Sequence, residues 1–231
     1  NYVCNVYTGV DPQPLPSQII LTNGIVHESY TKTSIVQNDV WVWFNNTTWS
    51  WTNKDLIQKL IIGNMVTEIS DHTNLATASN LNEITFQETA IITRIGENAI
   101  FYPNAAQHYW NDKITSITIP KSINYIGKNA FTNCRALTDI YFDHNSNSDI
   151  SLGSGALDTY NIYTIFHVYS TEINLINNIQ TNYKNEYFLN ESLGYGLLFT
   201  QHIYYGLIFR DISSSTIIRF LPSSDEITSM V

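Results

Sequence analysis

Side-chain oxygens recur at alternate positions in Asp143-His144-Asn145-Ser146-Asn147-Ser148-Asp149. Calcium chemistry would use such a stretch, because a hard cation takes carboxylate and amide oxygens from successive odd positions of a turning chain. Two requirements of that loop are missing. Ser148 stands where the sharp turn asks for Gly, and Ser154 stands where a bidentate Glu closes the coordination. The stretch reads as a polar turn, and no metal or cofactor is expected. His27, His72, His108, His144, His167 and His202 are scattered singly, without HExxH, Cys-x-x-Cys or a nucleophile elbow. No catalytic residue is nominated, and the chain reads as a non-enzyme. Gly153-Ser154-Gly155 is too short and too poorly placed to cradle a phosphate.

Sugar chemistry has two openings. Trp41, Trp43, Trp49 and Trp51 could stack on a glycan or pack over the open end of a core. Asn45-Asn46-Thr47-Thr48 and Asn190-Glu191-Ser192 are acceptor triplets for N-glycosylation, which a chain this rich in Asn also produces by accident. Cys4 and Cys134 could bond only if the amino-terminal residues lay against the middle of the chain. The simpler reading makes Cys134 a small buried apolar side chain.

The net charge of -9, with 11 Lys and Arg spread along 231 residues, leaves no basic patch and argues against nucleic acid. No stretch approaches a transmembrane helix, so no membrane insertion is expected. With 43% hydrophobic residues the chain can bury a substantial core as one continuous body. It opens at Asn1 without Met, as a processed chain, a cloned segment or a piece of something longer would.

The elements that must carry any site are repeats. Ile57-Gln-Lys-Leu60-Ile-Ile62, Leu81-Asn-Glu-Ile84-Thr-Phe86, Ile114-Thr-Ser-Ile117-Thr-Ile119, Leu137-Thr-Asp-Ile140-Tyr-Phe142 and Ile162-Tyr-Thr-Ile165 align as five strands. Leu60, Ile84, Ile117, Ile140 and Ile165 are spaced 24, 33, 23 and 25 residues apart. The long interval is one period with a ten-residue insertion, placed near Phe101 to Trp110, where Pro103 interrupts the pattern. In the best copy Pro120 ends the strand, Ile123 and Ile126 cover the interior, and Gly127 suits a turn whose backbone leaves ordinary angles. Ala130-Phe131 then supplies a small and large pair for close packing of coils. Ile92 to Ile100 repeats that signature, and the copies at either end are degraded as capping coils would be.

The run Ile119-Pro120-Lys-Ser-Ile123 through Ile126-Gly127, Ala130-Phe131, Cys134 and Leu137 resembles the BspA-like, or Treponema-type, class of leucine-rich repeats. That class occurs mostly in surface and secreted proteins of bacteria and some protists, and in some viral genomes. The resemblance covers residues 56 to 170 and implies a solenoid, recognition of a macromolecule and no catalysis. Residues 168 to 188 resemble the helix that often closes such arrays.

The expected fold is therefore a β-rich solenoid with few helices, about five coils with β-rich caps at both ends. Residues 1–18, with Pro12, Pro14 and Pro16, read as an arm or linker, and 19–55 as an amino-terminal cap. Residues 56–170 are the repeats, and 171–231 the capping helix followed by three antiparallel strands, from GYGLLF, HIYYGLIF and STIIRFL. Stacked coils would align Ile61, Thr85, Thr118, Tyr141 and Phe166 along one exposed sheet, beside Lys59, Glu83, Ser116, Asp139 and Thr164. That face could be merely solvated, or could bind a protein or glycan through Tyr141 and Phe166. The expectation is a secreted, cell-surface or virion-exposed recognition protein. The alternative is a structural subunit of a fibre, surface layer or filament that assembles through its arm and caps.

Overall fold

In the four residues Ser116–Ile119, strand β9, Ile117 and Ile119 are buried while Ser116 and Thr118 face solvent. This is the period of a strand with one face on a core. Similar four-residue strands are β5 (Lys59–Ile62), β7 (Glu83–Phe86), β11 (Asp139–Phe142) and β13 (Ile165–Val168). After each of the first four comes a two-residue strand: β6 (Glu68–Ile69), β8 (Arg94–Ile95), β10 (Tyr125–Ile126) and β12 (Ser151–Leu152). Each pair of long and short strands is one coil. The computed structural model describes residues 3–6, 18–22, 26–36, 39, 58–75, 80–100, 113–132, 134–145, 149–159, 164–182, 208–214 and 217–219.

Coils stack by parallel pairing on both sides. The short strands, preceded by β4 (Ser34–Ile35), form one sheet in the order β12-β10-β8-β6-β4, which runs through every coil. The long strands fall into two sheets, β5–β7 and β9–β11–β13, and among the described residues no ladder joins β7 to β9. The interruption coincides with the longest interval in the sequence. The expected insertion, Phe101 to Trp110, lies outside the described residues. Between the sheets run Ile, Leu and Phe side chains in one continuous cluster, including Phe131, Phe142 and Phe166. Burying each is worth about 1.5–3 kcal/mol relative to exposure.

The caps extend these sheets. β2 (Gln18–Thr22) and β3 (Val26–Thr31) form an antiparallel hairpin, and β2 pairs antiparallel with β5. Residues Val3–Val6 form β1, antiparallel to β3, so this part of the expected arm is a sheet strand. Its β-branched valines suit the hairpin edge; Pro12, Pro14 and Pro16 lie outside the described residues, as do Trp41, Trp43, Trp49 and Trp51. At the other end β14 (Ile208–Asp211) pairs parallel with β13, and β15 (Ile217–Arg219) pairs antiparallel with β14. The segment is expected to form antiparallel strands that cap the last coil or continue its sheet: β14–β15 are antiparallel and β14 adds a rung to the solenoid, while GYGLLF lies outside the described residues. Helix α1 (Ile173–Asn182) takes the place of a short strand after β13, burying Leu175, Ile176 and Ile179. The Asn178 side-chain amide donates to the Ile150 carbonyl beside β12.

The turns correct one expectation. Gly127 does not have a left-handed backbone; a residue with positive φ stands two positions later in each coil, at His72, Asn98, Asn129 and Gly155, and Asn74 is a further one in the first coil. Asn tolerates that conformation better than most side chains. The glycines serve close approach instead. A Cβ on Gly96 would lie 2.5 Å from the Asp71 amide nitrogen, one on Gly127 2.4 Å from that of Glu97, and one on Gly153 2.4 Å from that of Lys128. Each turn rests on the backbone of the coil before it, and the left-handed residue then donates to the next coil, as from Asn98 N–H to the Lys128 carbonyl and from Asn129 N–H to that of Ser154.

Candidate binding face

Because side chains alternate, the register decides which residues share the outer face. Tyr141 of β11 stands opposite Thr118 of β9 and His167 of β13, and His167 stands opposite Arg210 of β14. The outer row is therefore Thr118, Tyr141, His167, Arg210. Beside it run Ser116, Asp139 and Ile165.

Chemistry concentrates at the centre of this face. His167 Nε2 lies 2.7 Å from Asp139 Oδ1, an imidazole N–H donating to a carboxylate. The Tyr141 and His167 rings stack with centroids 4.0 Å apart and planes 12° from parallel. This arrangement covers one face of each ring and fixes both; His167 is only 4% exposed and Tyr141 is half-buried. Arg210 is half-buried too, has no ion pair among the described residues, and its Nε is buried without a hydrogen-bond partner.

The arginine of the opposite sheet is fully engaged by contrast. Arg94 bonds Glu68 at 3.3 Å, pairs with Asp71 and lies over the Tyr125 ring at 5.3 Å. Desolvation pushes the Asp71 carboxyl up, but the Glu97 N–H and Arg94 outweigh it and hold the carboxyl below its ordinary value. The acid next to Arg210 in sequence, Asp211, is committed elsewhere. Ser213 first, then Ser170 and Ser214, bond its carboxylate and hold it well below the usual carboxylate range.

The residues nominated from sequence are divided by the break between β7 and β9. On the first sheet Lys59 pairs with Glu83 at 3.0 Å, and Thr85 is half-buried beside Ile61. Ile61 itself is not exposed: the run Leu60-Ile61-Ile62 is buried throughout, as in a strand covered on both faces. On the second sheet Ser116 and Thr118 are exposed, and Asp139 and Tyr141 are half-buried. Phe166 is a correction. It pairs with Ile140 and is fully buried, so the last interval is 26 residues and His167 occupies the outer position. Thr164 moves with it, one place before Ile165, buried and donating to the Leu137 carbonyl at 2.8 Å. The signal that could have found His167 is Phe166-His167-Val168, in which two apolar residues bracket a polar one at strand spacing. Arg210 had no such signal, since only the pairing of β14 with β13 brings it here.

Other nominated chemistry separates. His144 of the calcium-like stretch turns inward, 1% exposed, with Nε2 2.9 Å from the Ile123 carbonyl. Among the described residues no group of three or more His, Cys, Asp or Glu could hold a metal. Cys134 is a free, buried thiol, so the bond to Cys4 is absent; burial pushes the thiol up to about 12. The acceptor triplets at Asn45, Asn46 and Asn190 lie outside the described residues.

Stacked coils with a parallel strand on each side and one hydrophobic interior define a leucine-rich-repeat type of solenoid, an architecture that typically serves as an interaction scaffold. Residues 104–194 match the family model for the BspA type leucine rich repeat region (6 copies), so the chain carries a BspA-type repeat region. The coils of β5–β6 and β7–β8 precede the matched stretch and share its short-strand sheet. No curated protein and no solved structure matches the chain. Among the described residues no helix is long and apolar enough to cross a membrane.

Proposed function

We propose that this protein is a non-enzymatic recognition or adhesion protein, secreted or exposed on a surface, that binds a macromolecular ligand through the outer face of β9, β11, β13 and β14. The observation that carries this reading is the fixed row Thr118, Tyr141, His167, Arg210, with Asp139 behind it. Rings already held by stacking lose little freedom when a ligand arrives, which favours affinity from few contacts. The opposite sheet spends its charged and aromatic groups on one another, so the two faces differ in what they can offer a partner.

The test is an immobilised chain presented with a panel of matrix proteins and glycans, in wild-type form and as Tyr141→Ala. The variant is expected to lose about tenfold or more in affinity, the scale of a central contact residue, with its melting temperature nearly unchanged. Unaltered affinity for every ligand found would remove the sheet from consideration.

A second reading rests on the ends of the sheets. Among the described residues β1 and β15 are terminal strands in the pairing order, and an open strand edge is a template for another chain. On that reading the protein is a subunit of a filament, fibre or surface layer. Light scattering across a concentration series separates the two, since a concentration-independent monomer excludes the subunit.

A further inference from the structure

We infer that the group received beside His167 is a single carboxylate of a polypeptide ligand, a lone acidic side chain or chain terminus, held by the guanidinium of Arg210; this rests on the recognition reading above. An arginine buried in part has lost some of its hydration, and its loss is offset only by hydrogen bonds to an acceptor. Arg210 has none from the described residues, and its Nε is buried without a partner. The acid bonded to Arg210's neighbour His167 and the acid next to Arg210 in sequence are both engaged: Asp139 with His167, Asp211 with its serines. A carboxylate matches the planar fork of a guanidinium with two parallel hydrogen bonds. The aromatic neighbours refine the assignment. Tyr141 and His167 stack on each other, so one face of each ring is already taken and less aromatic surface is left for a sugar to stack on. Half-buried Ile165, in the adjoining outward row, suits an apolar side chain next to the acid. The net charge of -9 also disfavours a polyanionic glycan, whose many charges would be repelled, while a single carboxylate feels mainly the groups within about 8 Å at physiological salt.

The experiment is an NMR titration of the full ¹⁵N-labelled chain at low salt, following the Arg210 Nε–Hε resonance and the amides of β13 and β14. The probes are a capped pentapeptide Thr-Ile-Glu-Ile-Thr, its Gln counterpart and trigalacturonate. The Glu peptide is expected to shift the Arg210 resonance saturably, the Gln peptide to bind at least tenfold more weakly, and Arg210→Gln to lose the difference. Arg210→Lys should keep part of it, which guards against a folding defect in the first variant. Equal binding of the Glu and Gln peptides, tighter binding of trigalacturonate, or no saturable shift with any probe each overturns the assignment. In the ligand panel, loss by Tyr141→Ala with full retention by Arg210→Gln would leave the recognition face standing and remove only the carboxylate. Retention by both variants would remove the face itself.

Discussion

Replacing Gly127 with Ala tests the stacking of the coils directly, because two effects of opposite sign meet at this position. Gly127 has no left-handed backbone, so by conformational entropy alone an Ala would stabilise the chain by about 0.4–1 kcal/mol. The added Cβ, however, would stand 2.4 Å from the Glu97 nitrogen, 2.5 Å from the Gly96 carbonyl carbon and 2.8 Å from the Glu97 Cα. All three are backbone atoms of the preceding coil, and no flexible side chain can yield. Restoring an ordinary carbon contact requires the two turns to part by roughly 1 Å. The Gly127 N–H bond to the Ile95 carbonyl, now 2.8 Å, would then be stretched beyond hydrogen-bonding range. Overpacking costs about 1–3 kcal/mol and the weakened bond about 1 kcal/mol, so the net loss is expected to be about 2–3 kcal/mol.

Urea unfolding followed by circular dichroism, with linear extrapolation to water, measures this loss. Gly96→Ala and Gly153→Ala should also destabilise, since a Cβ at either would meet a backbone nitrogen of the preceding coil, at 2.5 and 2.4 Å. Ser70, at the same place in the first coil, already carries a Cβ, and Ser70→Ala should cost less than about 1 kcal/mol, the worth of its hydroxyl bond to Glu68. A Gly127→Ala chain as stable as wild type, or more so, would refute the close stacking of turns.

Phe131→Ala should cost about 3–5 kcal/mol by emptying a fully buried site, and a loss under about 1 kcal/mol would contradict its place in the core. Cys134, buried and with its thiol raised to about 12, should resist iodoacetamide at pH 8 in the folded chain and label completely in urea; peptide mapping that finds native Cys134 labelled would count against its burial. Burial holds the His144 imidazolium pKa below its ordinary value, against the opposing pull of the Ile123 carbonyl and of Glu172 and Asp143. The unfolded chain therefore binds the proton first, and stability should be constant above about pH 7 and fall as pH drops from about 6.5 toward the lower folded value. Urea midpoints at pH 7.5 and 5.5 should differ less in His144→Gln than in wild type, and equal differences would place the pH dependence elsewhere.

The solenoid was legible because its determinants repeat. Ile117, Ile119, Ile123 and Ile126 are buried where alternation places them, and Ala130-Phe131 fills the interior as a small and large pair. What Gly127 is for was not legible, since a glycine needed for a left-handed turn and one needed for close approach look alike until the neighbouring coil is in place. The long expected reach of the Pro-containing arm failed at Val3–Val6 for a similar reason. A short β-branched segment is a strand only if an edge such as β3 stands open to receive it.

The candidate face shows how a small error at the end of an array moves a site. The registers expected within β5–β7 and within β9–β11 are those the structure adopts, yet Ile165 was matched to Ile140 when Phe166 is its partner. One residue of slip exchanges the faces of a strand, so the buried Phe166 was nominated for binding while His167 was missed. The degenerate sequence invites that slip, because Ile165, Phe166 and Val168 are all apolar and only the fit against β11 selects among them. The choice is physical: with Phe166 and Val168 inward, His167 stands outward where Asp139 can accept its N–H and Tyr141 can stack on it. The opposite choice would have pressed an imidazole into a core of Ile and Phe, where an unpartnered polar ring costs free energy. The register that satisfies the core is therefore the one that assembles the face, and the polar cluster on the outer sheet is a consequence of how the last coil packs.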